Sequence, residues 1–264
     1  MTASLDFGYP WWLSYGHLAL VAAFGSLGLW GFSRKWSQWS LIVLSTLTLW
    51  AASAFLLVHF GLNINSVPAL PTQNFLRAGT GKVLDLGAGT GRSSVMLLWA
   101  RPQATLVALD LFGESFDLHF GHSDTPQGRL FANLKAAGVG QRASVVTSDM
   151  RRLPFGEATF DGIISSYAVD HLGRDGVKQT LAEAARVLKP GGELLLVIIN
   201  GHDPWMRFAF GPLLAHGGFR GAAWWQARMQ EAGLQVTETG TVPASFYFVA
   251  RRYVRKLLMT ASPW

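Results

Sequence analysis

The chain has 264 residues, of which 50% are hydrophobic and only 14% charged, so some of its apolar surface must face lipid rather than water. With no cysteine, disulfides, thiolate zinc sites and cysteine nucleophiles are excluded. The net charge of +6 suits an anionic surface, either nucleic acid or the inner face of a membrane.

Residues 7–33 and 36–76 contain no Asp, Glu, Lys or Arg. Within them, 13–32 and 39–60 each come close to the ~20 residues needed to cross a ~30 Å hydrocarbon layer as helix. Only the polar loop SRKWSQ separates them, so a transmembrane helical hairpin is expected over residues 1–62. Trp11, Trp12, Trp30, Trp36 and Trp39 stand near its ends, where indole rings favour the water–lipid boundary. Gly25, Gly28 and Gly31 recur every three residues and would let the second helix approach closely. A cleaved signal peptide fits poorly, because residues 1–12 hold no Lys or Arg. Arg34 and Lys35, in the connecting loop, would by the positive-inside rule place both chain ends outside.

The stretch GLNINSVPALPTQN that follows has two prolines, three asparagines and no periodicity, and reads as a juxtamembrane linker over 63–76. A second domain is expected over 77–252 and a basic, apolar tail over 253–264.

Apolar runs at 82–86, 105–109, 144–147, 162–165 and 193–199 suit buried parallel strands. Helical segments alternate with them at 92–101, 128–138 and 176–188, the last closed by Lys189-Pro190-Gly191-Gly192. Alternation of this kind implies a parallel sheet covered by helices, with ligands bound beyond the carboxyl ends of the strands. The first strand runs into VLDLGAGTGR, residues 83–92. A dinucleotide fingerprint needs G-x-G-x-x-G, whereas Gly87, Gly89 and Gly91 make G-x-G-x-G, which leaves an NAD-binding enzyme as the second reading.

Further along, Glu114, Asp117, His119, His122 and Asp124 offer ligand types for a divalent metal but no metal-loop spacing. A polar flap over the site is expected there, and no metal. Residues 201–225 are rich in aromatics, with Trp205, Phe208, Phe210, Phe219, Trp224 and Trp225. They suit a lipophilic acceptor or a bilayer interface, with core packing as the plainer alternative. Arg251, Arg252, Arg255 and Lys256 mix with Tyr253, Leu257 and Leu258, as in segments that rest on headgroups; a last strand with a solvated tail is the other reading.

The glycine loop, with Asp85 two residues ahead of it, resembles motif I of the class I S-adenosylmethionine-dependent methyltransferases. The resemblance extends over roughly residues 81–251. Asp110 in VALDLF matches the acid that takes the ribose hydroxyls, and Asp149-Met150 in SDMRRLPF match the pair at the adenine. FDGIISSYAVDHL and LKPGGELLLV look like the family's fourth and fifth strands. What this implies is a Rossmann-like, seven-stranded, mostly parallel sheet with helices on both faces, and S-adenosyl-L-methionine as cofactor. The implied binding residues are Asp85, Gly87, Ala88, Gly89, Gly91, Asp110, Leu111, Asp149, Met150 and Ser165.

Asp85 can turn negative charge toward a sulfonium and amino group, and Asp110 offers two acceptor oxygens to vicinal hydroxyls. Capping of the following helices is the alternative for both. His171, after the fourth strand, is the first candidate for a general base, with a role in the fold as its alternative.

The expected protein is a methyltransferase anchored in the cell inner membrane and acting on a small lipophilic or lipid-like acceptor. Its catalytic domain faces the cytoplasm, where the cofactor is made, and this overrides the charges of Arg34 and Lys35. A non-catalytic cofactor-binding membrane module is the alternative from another class. Nucleic acid is disfavoured as a partner, since no target-base motif is present. The lack of cysteine argues against arsenite-type methyltransferases, and an aminopropyltransferase's glycine signature is missing.

Overall fold

The computed structural model describes residues 4–113, 116, 126–211 and 220–253. Helix α1 (Trp11–Ser33) begins directly after Pro10, two residues earlier than the apolar run suggested. Helix α2 (Gln38–Leu56) is capped by Ser37, whose Oγ accepts from the Ser40 amide at 3.3 Å, and it continues as a π-helical turn, Leu57–Leu62, that ends at left-handed Asn63. The glycine face of α1 meets α2: a Cβ at Gly25 or Gly28 would touch Thr48 or Leu44 at 3.8 Å, and one at Gly31 would press on the Trp36 ring at 2.8 Å. Both helices are long and apolar enough to cross a membrane, with mean hydropathies of 1.3 and 2.2 over an 18-residue window of Trp11–Ser33 and of Gln38–Leu62.

The rest of the chain builds one seven-stranded sheet. Its strands are β1 (Thr80–Leu86), β2 (Gln103–Asp110), β3 (Ala143–Thr147), β4 (Phe160–Ser166), β5 (Leu188–Ile199), β6 (Leu234–Val242) and β7 (Ser245–Arg252), in the order β3-β2-β1-β4-β5-β7-β6. The first five run parallel, and β7 pairs antiparallel with both β5 and β6. Parallel strands need crossovers, and these supply α3 (Arg92–Ala100), α4 (Pro126–Ala136) and α5 (Arg174–Val187). Two further helices, α6 (Pro204–Phe210) and α7 (Ala222–Glu231), lie between β5 and β6.

Because side chains alternate across a strand, each central strand feeds both faces of the sheet. Leu84, Leu86, Val107, Leu109, Ile163, Leu194, Leu196 and Ile198 pack with α5 and α7 through Leu181, Ala184, Trp225 and Met229. The intervening Val83, Leu106, Ala108, Ile164, Leu195 and Val197 pack with α3 and α4 through Val95, Leu98, Leu130 and Leu134. Near-continuous apolar runs were therefore the correct signature of strands covered on both sides.

Two details differ from the sequence reading. Residues 189–192, expected as a turn closing the helix, lie within β5 as an interruption of its ladder: Phe160 pairs with Leu188, and pairing resumes at Gly162 with Glu193. Arg251 and Arg252 belong to β7, where Arg251 ion-pairs with Glu193 at 2.7 Å and Arg252 donates to the Leu188 carbonyl. They tie β7 to β5 inside the sheet rather than forming a lipid-facing tail; residues 255–258 lie outside the described residues.

The segment before β1 is firmly held. Arg101, only 5% exposed, donates to the Phe75 carbonyl from Nε and Nη2 at 2.9 and 2.7 Å and to the Gln73 carbonyl at 3.0 Å. Glu193 accepts from the Leu76 amide at 2.7 Å, and the Phe75 ring is fully buried in the α3 side of the core. Proline and asparagine punctuated this stretch, but a buried guanidinium and an aromatic ring fix its path. Phe75→Ala is expected to destabilise the protein by about 3–5 kcal/mol, read as a lower urea midpoint in detergent solution.

Candidate functional site

The sheet order reverses between β1 and β4, so the crevice beyond their carboxyl ends is where such a sheet binds ligands. The glycine loop lies there. Gly87 and Ala88 both donate to the Leu109 carbonyl, at 2.8 and 3.0 Å, which turns the chain sharply off β1 against the end of β2. Gly87 has φ +74°, and a Cβ on it would stand 2.3 Å from Cβ of Ala168. Gly91, with φ +92°, opens α3 where a Cβ would strike Leu130 at 2.5 Å. These two glycines are thus required by the protein's own close packing, whatever binds.

Asp110 ends β2 and fastens the loop from the side. Its Oδ2 accepts from the Gly89 amide and its Oδ1 from the Phe112 amide, both at 2.9 Å. Each oxygen keeps a lone pair beyond the one used, so two further donors can be accommodated. Leu111, next along, is 56% exposed.

Asp85 lies on the other side of the loop, fully buried. Its Oδ2 accepts from the hydroxyls of Ser93 and Ser94 on α3, at 2.7 and 2.6 Å, while Oδ1 has no hydrogen-bond partner among the described residues. These are side-chain bonds and not the backbone cap that was the alternative for this residue. Burial pushes the Asp85 carboxyl up to about 6; the Ser94 and Ser93 hydroxyls pull it down, and the nearby Asp110 charge adds to the rise.

Ser165, fully buried on β4, donates to the Leu86 carbonyl at 2.8 Å and so ties the two strands at the reversal point. Met150 reaches the same place, its Cε 3.1 Å from where a Gly87 Cβ would be. Asp149 beside it forms a forked pair with Arg151 at 2.6–3.0 Å and accepts from the Arg151 amide. The Arg151 guanidinium holds the Asp149 carboxyl below the usual carboxylate range. His171 is exposed on a 3-10 turn, Val169–His171, after β4, and its amide donates to Ala168. Its neighbour Asp170 accepts from the Ile199 amide at 3.1 Å, anchoring that turn to the end of β5.

The structure adds residues that the sequence pattern did not mark. A strap ahead of α1 crosses the loop: Thr90 donates to the Phe7 carbonyl at 3.0 Å, and Asn133 of α4 brackets Asp6 through both its amide and its carbonyl. Phe7 is 2% exposed. Burial pushes the Tyr9 phenol above its ordinary range, against the pull of Arg92. Tyr167, immediately after β4, has φ +57°, an outlying conformation for a bulky residue, and its hydroxyl bonds Ser245 at 2.9 Å. Nothing periodic announces Tyr9, whose surroundings come from parts of the chain distant in sequence. The SSY end of β4 was legible, but its left-handed turn was not.

Of the aromatic stretch, Trp225 is a core residue at 2% exposure, whereas Trp205 and Phe208 face outward at 64% and 42%. Phe219 lies outside the described residues, as do Glu114, Asp117, His119, His122 and Asp124, where a polar flap was expected. Among the described residues no cluster of metal-ligating side chains occurs.

Residues 83–192 match the family described as "Methyltransferase domain". Over 126 residues, 47% of this chain and 44% of the relative, the sequence is 34% identical to a demethylmenaquinone methyltransferase of Mycobacterium tuberculosis (strain ATCC 25618 / H37Rv). Over 130 residues, 49% of this chain and 47% of the relative, it is 33% identical to the ubiquinone/menaquinone biosynthesis C-methyltransferase UbiE of Cereibacter sphaeroides (strain KD131 / KCTC 12085). The chain thus spans less than half the length of these relatives. Among solved structures, an O-methyltransferase family protein from Burkholderia thailandensis superposes with a TM-score of 0.57 at 17% identity, covering 89% of this chain and 72% of the other. The fold is the Rossmann-like methyltransferase fold, on a sheet whose seven strands are mostly parallel.

Asp85 yields a test of the site's electrostatics. An acid whose pKa rises from 3.8 unfolded to about 6 folded binds extra protons when folded. Its burial therefore costs little below about pH 4 and up to about 3 kcal/mol above pH 6. Asp85→Asn keeps an acceptor for the serines and removes the charge. It is expected to melt higher than the parent at pH 8, with the gap narrowing toward pH 5 in thermal scans of the detergent-solubilised protein.

Proposed function

With a methyltransferase domain at residues 83–192 as premise, we propose that the chain is a membrane-anchored S-adenosylmethionine-dependent methyltransferase acting on a lipophilic, quinol-like acceptor. The observation that carries the reading is the glycine loop at the reversal point, clamped by Asp110 through Gly89, above a buried Asp85 oxygen that has no partner among the described residues. A buried acceptor of that kind calls for a donor from a ligand. The donor set fits the cofactor, whose amino group, ribose diol and adenine present hydrogen-bond donors to carboxylates.

When bound, the cofactor supplies a methyl group activated by its sulfonium. The protein's task is then to hold the acceptor in line, and positioning of that sort is worth up to ~7–11 kcal/mol of barrier. Asp110 would receive the ribose hydroxyls on its remaining lone pairs, and Asp85 would hold the amino group. Leu111 and Met150 line the base. Asp149 meets the adenine amino group only in competition with Arg151, which already occupies its two oxygens. His171, at the rim after β4, is the candidate to take a proton from the acceptor, a contribution of about 10²–10⁴-fold where one must leave.

The hairpin would place this site beside the phase in which lipophilic acceptors dissolve. Trp11 and Trp12 at one end and Trp30, Trp36 and Trp39 at the other are all exposed. Trp12 and Trp30 are separated along α1 by about 27 Å, at about 1.5 Å per residue, close to the ~30 Å of a hydrocarbon layer. The hairpin over 1–62, the linker over 63–76 and the catalytic domain over 77–252, facing the cytoplasm at the inner membrane, form the proposed arrangement.

Supporting names come from the relatives, which methylate demethylmenaquinone or act in ubiquinone/menaquinone biosynthesis. The acceptor is tested by incubating the purified protein with isotopically labelled cofactor and a membrane lipid extract. Label is expected in a quinone-type product by mass spectrometry; cofactor binding with no labelled product favours the non-catalytic module. Asp110→Ala is expected to weaken cofactor binding by at least about thirtyfold in calorimetry, since it loses charge-assisted bonds and releases Gly89.

A further inference from the structure

The base of the hairpin is built into the catalytic domain. Trp50 of α2 donates to the Phe208 carbonyl of α6 at 2.9 Å, and Arg92 at the start of α3 donates to the Ser66 carbonyl at 2.8 Å. Ala54 and Val58 form a small buried cluster with Ala209. Toward these contacts α1 turns two polar residues, Ser14 and His17, at 4% and 7% exposure. Ser14 accepts from the Asn65 amide group at 2.9 Å.

His17 is the unusual member. Its Nε2 lies 2.8 Å from the Ala209 carbonyl. A carbonyl can only accept, so Nε2 carries the hydrogen, and in the neutral ring that tautomer makes Nδ1 a lone-pair acceptor. Nδ1 is buried and has no hydrogen-bond partner among the described residues. The Trp50 and Phe210 rings stand edge-on to the imidazole, at 5.8 and 5.4 Å. Outward from them, α6 exposes Trp205 and Phe208. The imidazole therefore sits where α1, α2 and the helix following β5 converge, about 9 Å along α1 from Trp11.

Two features of this environment select a ligand. An ammonium donor would bring an uncompensated charge among aromatic and aliphatic groups, whereas a neutral hydroxyl brings none. Aromatic edges accept the face of another ring. We propose that His17 is a specificity-determining residue of the acceptor site, its Nδ1 accepting a hydrogen bond from the ring hydroxyl of a phenol- or quinol-type acceptor that arrives from the lipid between α6 and the hairpin base. The inference rests on the methyltransferase reading and deepens it, because it makes the hairpin a wall of the site as well as an anchor.

The test uses the full chain in nanodiscs of phosphatidylcholine and phosphatidylglycerol, with ¹⁵N-labelled histidine rings. It is titrated under reducing conditions with menadiol and, separately, with the dimethyl ether of menadiol. The His17 Nδ1 resonance, identified by its loss in His17→Gln, is expected to move with menadiol and not with the ether. The menadiol Kd is expected to rise about tenfold in His17→Phe, the worth of one neutral hydrogen bond. It recovers in His17→Gln, whose amide donates to Ala209 and still accepts. S-adenosylmethionine affinity is expected to stay unchanged in both variants. A resonance that menadiol does not move, or equal menadiol affinities for the parent and a folded His17→Phe, overturns the assignment. Should the parent bind menadiol but not S-adenosylmethionine, the methyltransferase reading falls while His17 remains a hydroxyl site.

Discussion

Parallel pairing is the constraint on which this molecule rests. Five neighbouring strands running the same way can be joined only by crossovers, so every turn that follows a strand emerges on one rim of the sheet. The glycine loop, Asp110, Met150, Tyr167 and the start of α6 are brought together there from more than a hundred residues of chain. Covering both faces with helices buries the central strands, and that is why the carboxylate of Asp85, on one of them, is costly to ionise unless donors reach it.

The hairpin exploits the same rim. Its far half, from the glycine face of α1 to the Trp30 and Trp36 end, packs helix on helix with little else around it. Its near half is held by protein on one side: the strap ahead of α1 lies over Thr90, the linker after α2 lies on Arg92, and α6 closes on His17 and Trp50. A flexible tether would leave the sheet domain free to turn relative to the hairpin. Hydrogen bonds on both sides of the hairpin hold it against the sheet domain instead.

The glycine loop also shows how one residue type can satisfy several demands. Gly87 and Gly91 take left-handed conformations and leave room for Ala168 and Leu130, so substitution at either would disturb the fold before any ligand was involved. Gly89, by contrast, spends its amide on Asp110. The loop is preorganised by contacts from β2, α4 and the turn after β4, each contributed by a different part of the chain.

What the sequence by itself determined were the features encoded locally: charge-free runs of helix-spanning length, apolar strand runs, the G-x-G-x-G loop and the ordered carboxylates at 85, 110 and 149. Periodicity and spacing report on neighbours along the chain, so these were legible from residue order alone. Only the tertiary structure decided which partners the side chains take. It gave Asp149 to Arg151, Arg251 to Glu193 and Ser165 to the Leu86 carbonyl, and it brought Tyr9 near Arg92 and His17 against the Ala209 carbonyl from a segment that reads only as anchor. Such pairings join residues between two and nearly two hundred positions apart, and no local pattern carries them, because burial and hydrogen bonding are settled only when the packed faces meet.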